Sequence, residues 1–218
     1  MTSATSTTSL DRRGKTITTA VVFDAAAELR NRPEADVLEL LTDDFEPMDR
    51  DVAAWCEAVG HELVSSEATV EGRRFLIAKG RSKPIADSLA MVISSDGLEE
   101  LLSPLGFALA AALEGMAVHI YVQGPAVRVL ARGFRPKLSG WARPFSRFAA
   151  AGLTRAGHIP AQDKLRQLRT LGARIYVCGP SMQHFKVDRR ELIFDDLPRV
   201  EYLSFMAVMR EANVQLYI

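Results

Sequence analysis

Only two cysteines, Cys56 and Cys178, occur in the 218 residues. That number excludes a disulfide framework and leaves each sulfur to be judged on its own surroundings. Net charge is also lacking: 27 basic residues balance 27 acidic ones, so no bulk field draws the chain to nucleic acid or to a membrane surface. No apolar run is long enough to cross a bilayer and nothing resembles a secretory signal, so a reducing cytoplasm is the expected setting. Four scattered histidines make no metal-ligand spacing, and the P-loop, GxGxxG, GxSxG and HExxH patterns are all missing. Nucleotide hydrolysis, dinucleotide redox chemistry, serine hydrolysis and zinc proteolysis therefore lack their usual residues, and nothing calls for a metal or an organic cofactor.

The overall charge balance hides a partition. From Ala20 to Glu71 the acids far outnumber Arg30, Arg32 and Arg50, whereas between Gly115 and Gln162 seven basic residues, Arg128 to Arg155, face no Asp or Glu. Two units are expected. The opening, residues 1–12 with its run TSATSTTSLDR, is small, polar and aperiodic and reads as a disordered tail. Val21, Val22, Ala25, Ala26 and Leu29 then recur at helical spacing, ended by Pro33. ADVLELLTDD is a short strand closed by acidic turn residues and Pro47. DRDVAAWCEAVGHEL is a second helix, with Asp49 as its expected N-cap, Cys56 on its apolar face and Gly60 as its stop. HELVSSEATVEGRRFLIAKG makes two strands around Glu71-Gly72. The order strand, helix, strand, helix, strand, strand, with its first strand assigned to no segment, describes a small two-layer α/β sandwich over 13–80.

A linker, 81–87, separates this unit from 88–218, where the rhythm changes. SLAMVISS, AVHIYVQG and GARIYVCG are unalternating apolar strands separated by helices at Leu98–Glu114 and DKLRQLRTLG, and the helical EYLSFMAVMREA precedes a final strand NVQLYI. Such strands belong to a parallel sheet covered on both faces, here a flavodoxin-like, doubly wound sheet whose ligand chemistry lies beyond the carboxyl ends of its strands. Three loops are expected to converge there: Ser94 to Gly97, Gln123 to Pro125, and Cys178 to Ser181.

A thiol reacts as a thiolate, which a helix start or nearby cations favour. Cys178 ends a strand and is followed by Gly179-Pro180, a helix opening, so reaction is favoured over core packing for it. Gly179, Ser181, His184, Ser94 and Asp96 are the candidate anion-site residues around it. Cys56, mid-helix among apolar neighbours, reads as core, and His119, inside an apolar strand, as a satisfied core histidine. In the segment 127–157, Phe134, Trp141, Phe145 and Phe148 interleave with the basic residues. The favoured reading packs those aromatics on their own domain or a neighbouring subunit; contact with a membrane surface is the minor alternative.

These residues carry two family resemblances. DRRG at 11–14, the Asp43-Asp44 turn, RDVAAWCEAVGHELV at 50–64 and FLIAKG at 75–80 resemble the TusA family of sulfur carriers. VCGPSM at 177–182, RRELI at 189–193 and the NVQLYI strand resemble the DsrE/DsrF-like family. TusA-like carriers hold sulfur on the cysteine of a CPxP motif, and the spacing from Arg13-Gly14 puts Ile17-Thr18-Thr19-Ala20 at that place, without cysteine or proline. The first unit is thus a degenerate carrier, suited to docking or regulation through its acidic surface. For the second, the resemblance implies a homo-oligomeric, sulfurtransferase-like relay protein that accepts sulfane sulfur as a persulfide on Cys178 and exchanges it with other persulfide-carrying proteins. The alternative is a non-catalytic regulatory or assembly protein, or a thiol redox sensor, that uses the degenerate carrier domain to dock a partner.

Overall fold

In the computed structural model, which describes residues 7–15, 17–81 and 87–218, the chain divides into two compact units, the first drawn mainly from residues up to 84. The expected linker falls, apart from its two ends, outside the described residues.

The first unit runs β1 (Thr7–Asp11), α1 (Thr18–Arg30), β2 (Val37–Thr42), α2 (Glu46–Val59), β3 (Glu62–Thr69) and β4 (Gly72–Ala78). Its sheet has the order β1-β2-β4-β3, with β1 parallel to β2 and the other pairs antiparallel. Leu38 and Leu40 of β2 and Phe75 and Ile77 of β4 are fully buried, as are Val21 and Ala25 of α1 and Met48 and Val52 of α2. The intervening β2 residues are less buried, so one face of the sheet carries the helices and the unit has two layers. Each such apolar side chain contributes roughly 1.5–3 kcal/mol on burial.

Two expectations change. Residues 7–11, assigned to the tail, form β1, because a polar edge strand needs only a backbone ladder: Leu10 pairs with Leu40 and Asp11 with Leu41. This supplies the missing first strand. Helix α2 begins at Glu46 with Phe45 as N-cap, since Pro47 sits in its first turn, where a missing N–H costs nothing. Asp49, the expected cap, instead accepts a hydrogen bond from Ser66 Oγ at 2.5 Å and pairs with Arg73 at 3.1 Å. The stop at Gly60 holds, with φ +84°. At the β3–β4 turn a Cβ on Gly72 would stand 2.2 Å from the carbonyl oxygen of Thr42, so only glycine fits.

The second unit runs β5 (Ser88–Ile93), α3 (Leu98–Leu113), β6 (Ala117–Val122), two 3-10 helices (Gly124–Leu130 and Gly140–Phe145), α4 (Ser146–Arg155), α5 (Ala161–Thr170), β7 (Arg174–Cys178), α6 (Gly179–His184), β8 (Arg199–Val200), α7 (Tyr202–Glu211) and β9 (Val214–Tyr217). The sheet order is β8-β7-β6-β5-β9 and every pair is parallel. The chain therefore steps outward from β5 to β8 and returns past β5 to β9, with α7 on the return. Leu101, Leu105 and Leu165 of α3 and α5 meet Ile93 and Val122 on one face. Phe205 of α7 meets Ala90, Val92, Tyr121 and Cys178 on the other. This is the doubly wound α/β arrangement, with helices on both faces of a parallel sheet.

His61, at the end of α2, stands edge-on to Trp55 at 5.2 Å. Burial, with Lys79 nearby, holds its imidazolium form below the usual histidine range. The unfolded histidine takes up its proton first, so stability is full above the unfolded value of about 6.5 and is lost as pH falls below it. The urea midpoint is expected to drop between about pH 8 and about pH 5, and His61→Gln to shrink that drop. A drop of the same size in the variant would assign the pH dependence to other groups.

Candidate functional site

β7 is clamped between β6 and β8: Val177 lies opposite Val122 and Arg199, and Cys178 opposite Val200. Cys178 is at once the last strand residue and the N-cap of α6, with Pro180 in the helix's first turn. Strand alternation turns its side chain to the α7 face, the side of Tyr176. There it packs with Tyr121 and Phe205 and is only 1% exposed. The thiol thus stands at the mouth of the sheet in backbone position, while its sulfur lies under α7. Tyr121 stacks on Phe205 with ring centroids 4.9 Å apart, and Tyr176 meets Phe205 edge-on at 5.5 Å.

The three expected loops do meet at the carboxyl edge. The Ser181 Oγ accepts a hydrogen bond from the Gly124 N–H at 2.9 Å, and Gly124, at φ +54°, runs so near the Ser94 carbonyl that a Cβ would stand 3.2 Å from it. Ser94 itself donates through both N–H and Oγ to the carbonyl of Ile218, each at 2.7 Å. Asp96 is drawn elsewhere, into an ion pair with Arg128 at 2.8 Å. The Arg128 guanidinium also lies 5.2 Å over the Phe185 ring, and the exposed His184 stands edge-on to that ring at 4.8 Å. Gly179 has open space where a Cβ would go, so nothing there requires glycine. The structure accordingly brings Ser94, Gly124 and Ser181 together and joins Asp96 to His184 through Arg128 and Phe185. No hydrogen bond in either group ends on the Cys178 sulfur.

Two cations of the basic segment have partners away from the thiol. Arg128 holds Asp96, and Arg132 donates to the Leu192 carbonyl at 2.8 Å and pairs with Asp195 at 3.1 Å. Two edge residues carry more than the sequence suggested. Gln123, buried at 7% exposure, donates from Nε2 to the Tyr217 hydroxyl at 2.9 Å, while its Oε1 has no partner. Tyr121, in the apolar strand β6, carries a hydroxyl that a core position obliges to find a partner. That obligation was the sequence signal for it.

Cys56 behaves as expected: it is buried in α2, and burial pushes its thiol up to about 12. His119 is half-buried, its Nδ1 3.3 Å from the Tyr176 hydroxyl, and burial lowers its basicity. Of the two packings expected for the basic-aromatic segment, on its own domain or on a neighbouring subunit, three of its aromatics exclude the first. Trp141, Phe145 and Phe148, on the second 3-10 helix and α4, are 87%, 56% and 79% exposed, so they do not pack on their own domain. Among the described residues no helix is long and apolar enough to cross a membrane, and no group of three or more His, Cys, Asp or Glu side chains is placed to hold a metal ion.

The sequence profile of the DsrE/DsrF-like family matches residues 87–213, which span the second unit from before β5 to the start of β9. The chain belongs to the DsrE/DsrF-like family, which is associated with sulfur relay. A solved structure, that of the YchN protein from E. coli, is similar at 12% identity and a TM-score of 0.43, covering 61% of this chain and 99% of its own. No curated protein matches the chain.

Phe205 is the side chain that α7 lays over the thiol, and trimming it thins that cover without emptying the core. Phe205→Leu is expected to raise the rate at which iodoacetamide alkylates Cys178 severalfold, read by peptide mass spectrometry on protein whose circular dichroism is unchanged. An unchanged rate would mean that α7 is not what limits access.

Proposed function

We propose that the chain relays sulfane sulfur through Cys178. The supporting observation is positional: in a member of a family associated with sulfur relay, the one cysteine at the carboxyl edge of the parallel sheet is also the N-cap of the following helix. The reaction is thiol–persulfide exchange. The Cys178 thiolate attacks the outer sulfur of a donor persulfide R–S–SH, one S–S bond forms as the donor's S–S bond breaks, and the donor leaves as the thiolate R–S⁻. No net oxidation occurs, so neither a metal nor an organic cofactor is required. Donors and acceptors are other persulfide-carrying proteins of a reducing compartment, the cytoplasm.

The first unit fits an accessory role in this reading. Its resemblance to TusA-like carriers aligns Ile17 to Ala20 with the family's sulfur-bearing position, and in the structure that is where α1 begins, with Ile17 as N-cap. A helix start without a thiol can dock a partner but cannot carry its sulfur. The acidic surface invoked for that docking is reduced by pairing: Asp24 is held by Arg12 and Lys15, Asp44 by Arg73, and Glu67 by Arg74.

One observation favours a second reading, a regulatory protein or thiol redox sensor: the Cys178 sulfur is as buried as that of Cys56. Intact-mass measurement after incubation with polysulfide separates the two. Relay predicts an added sulfur atom that persists in Cys56→Ser and disappears in Cys178→Ser. Absence of any adduct on Cys178 contradicts it.

A homo-oligomer is also part of the proposal. Trp141 and Phe148, and Tyr202 and Leu203 of α7, are exposed apolar side chains of the kind that subunit contacts cover. Light scattering with size-exclusion chromatography is expected to give a mass above one chain, lowered by Trp141→Asp with Phe148→Asp or by Leu203→Asp. A monomer at micromolar concentration would refute the assembly.

A further inference from the structure

The thiol's environment raises a difficulty that the candidate anion-site residues do not resolve. Burial in an apolar cluster disfavours a thiolate, and Arg128 and Arg132 of the basic segment are paired with Asp96 and Asp195. A hydrogen-bond donor inside the cluster is needed, and one is present.

Tyr121 sits on β6 opposite Tyr176 of β7 and is 1% exposed. Its hydroxyl reaches the carbonyl of Val200, on β8, at 3.4 Å. Neighbouring strands lie about 4.8 Å apart, so a phenol rooted on β6 that reaches β8 must pass over β7. Val200 is the register partner of Cys178, so the β7 side chain beneath the hydroxyl on that face is Cys178. The ring is fixed there, stacked on Phe205 at 4.9 Å and met edge-on by Tyr202 at 6.2 Å. A phenol has one proton to give, and 3.4 Å to a carbonyl is a long, weak use of it.

We propose that the Tyr121 hydroxyl donates its hydrogen bond to the Cys178 sulfur and favours its thiolate, making Tyr121 the positioning residue of the reactive thiol. The inference rests on the reading of Cys178 as the reacting sulfur. Burial first, then the hydrogen bond and charge of Cys178, hold the phenol above its ordinary range, so it stays protonated and able to donate. Other titratable groups facing the pair are Tyr176 on β7 and, at the start of α7, Tyr202 and Glu201, the last two opposing ionisation of the phenol. On the neighbouring β5, Ala90 and Val92 bring no charge; β8 brings Val200; His184 on α6 is exposed.

The test is the pH dependence of Cys178 alkylation by iodoacetamide, measured in the full chain carrying Cys56→Ser, with and without Tyr121→Phe. The substitution keeps the stacked ring and removes only the hydroxyl. The midpoint is expected to rise by about one pH unit, since a donor to the charged form is lost. At neutral pH the rate then falls about threefold, because roughly tenfold less thiolate is partly offset by its greater intrinsic nucleophilicity. Phe205→Leu is the control for packing: it raises the rate at every pH and, because less burial disfavours the thiolate less, does not raise the midpoint. An unmoved midpoint in Tyr121→Phe, an equal shift in Phe205→Leu, or a parent thiol with no titration below about pH 10 would each overturn the proposal. Failure of sulfur loading from polysulfide, with the Tyr121→Phe shift still present, would instead refute the relay and leave this assignment standing.

Discussion

The parallel ladder of β6, β7 and β8 is the constraint on which the second unit turns. Because β7 is paired on both edges, its end cannot drift, and Cys178 is fixed opposite Val200 at the point where strand becomes helix. Strand alternation then decides which face the sulfur takes. The chain's return from β8 to β9 brings α7 across that face, so Phe205 closes over the thiol and over Tyr121. One topological step thus provides the site's enclosure, its aromatic stack and its low polarity. The same step sets the chemical problem of holding charge on a covered sulfur.

The architecture of that unit was legible because its strands are continuous apolar runs and its helices keep a helical period; β5, β6, β7 and β9 and their intervening helices all follow from that contrast. The carboxyl-edge address of Cys178 was legible for the same reason. Its burial was not, because which face a terminal strand residue takes, and what covers that face, depend on the two-residue strand β8 and on where α7 lands. Neither has a local signature. His184 carried a donor suited to an anion site and Asp96 lay on an expected loop, yet His184 meets its neighbour Phe185 and Asp96 is engaged by Arg128, a partner 32 residues away that folding brings to it. Tyr121 was overlooked because it reads as one more bulky strand residue.

The first unit shows the opposite limits of sequence reading. Its alternation and its Glu71-Gly72 turn marked β3 and β4, but β1 lay in a stretch whose composition is that of a tail, and only its ladder to β2 makes it a strand. Counting charge over a window likewise overstated its acidity, since Arg12, Lys15, Arg73 and Arg74 flank that window in sequence and pair with its carboxylates in space. What remains is a folded α/β unit whose first helix opens on Ile17 and Thr18 rather than on a thiol.

A relay must give up sulfur as readily as it takes it, and a sensor need not. The most direct measurement is therefore single-turnover transfer: Cys178 is loaded with isotope-labelled sulfane sulfur, excess donor is removed, and a small acceptor thiol is added while the label is followed by mass spectrometry. Relay predicts that the label leaves Cys178 for the acceptor and that the free thiol is regenerated intact. A label retained on Cys178, or lost only with formation of a disulfide between two chains, would contradict it.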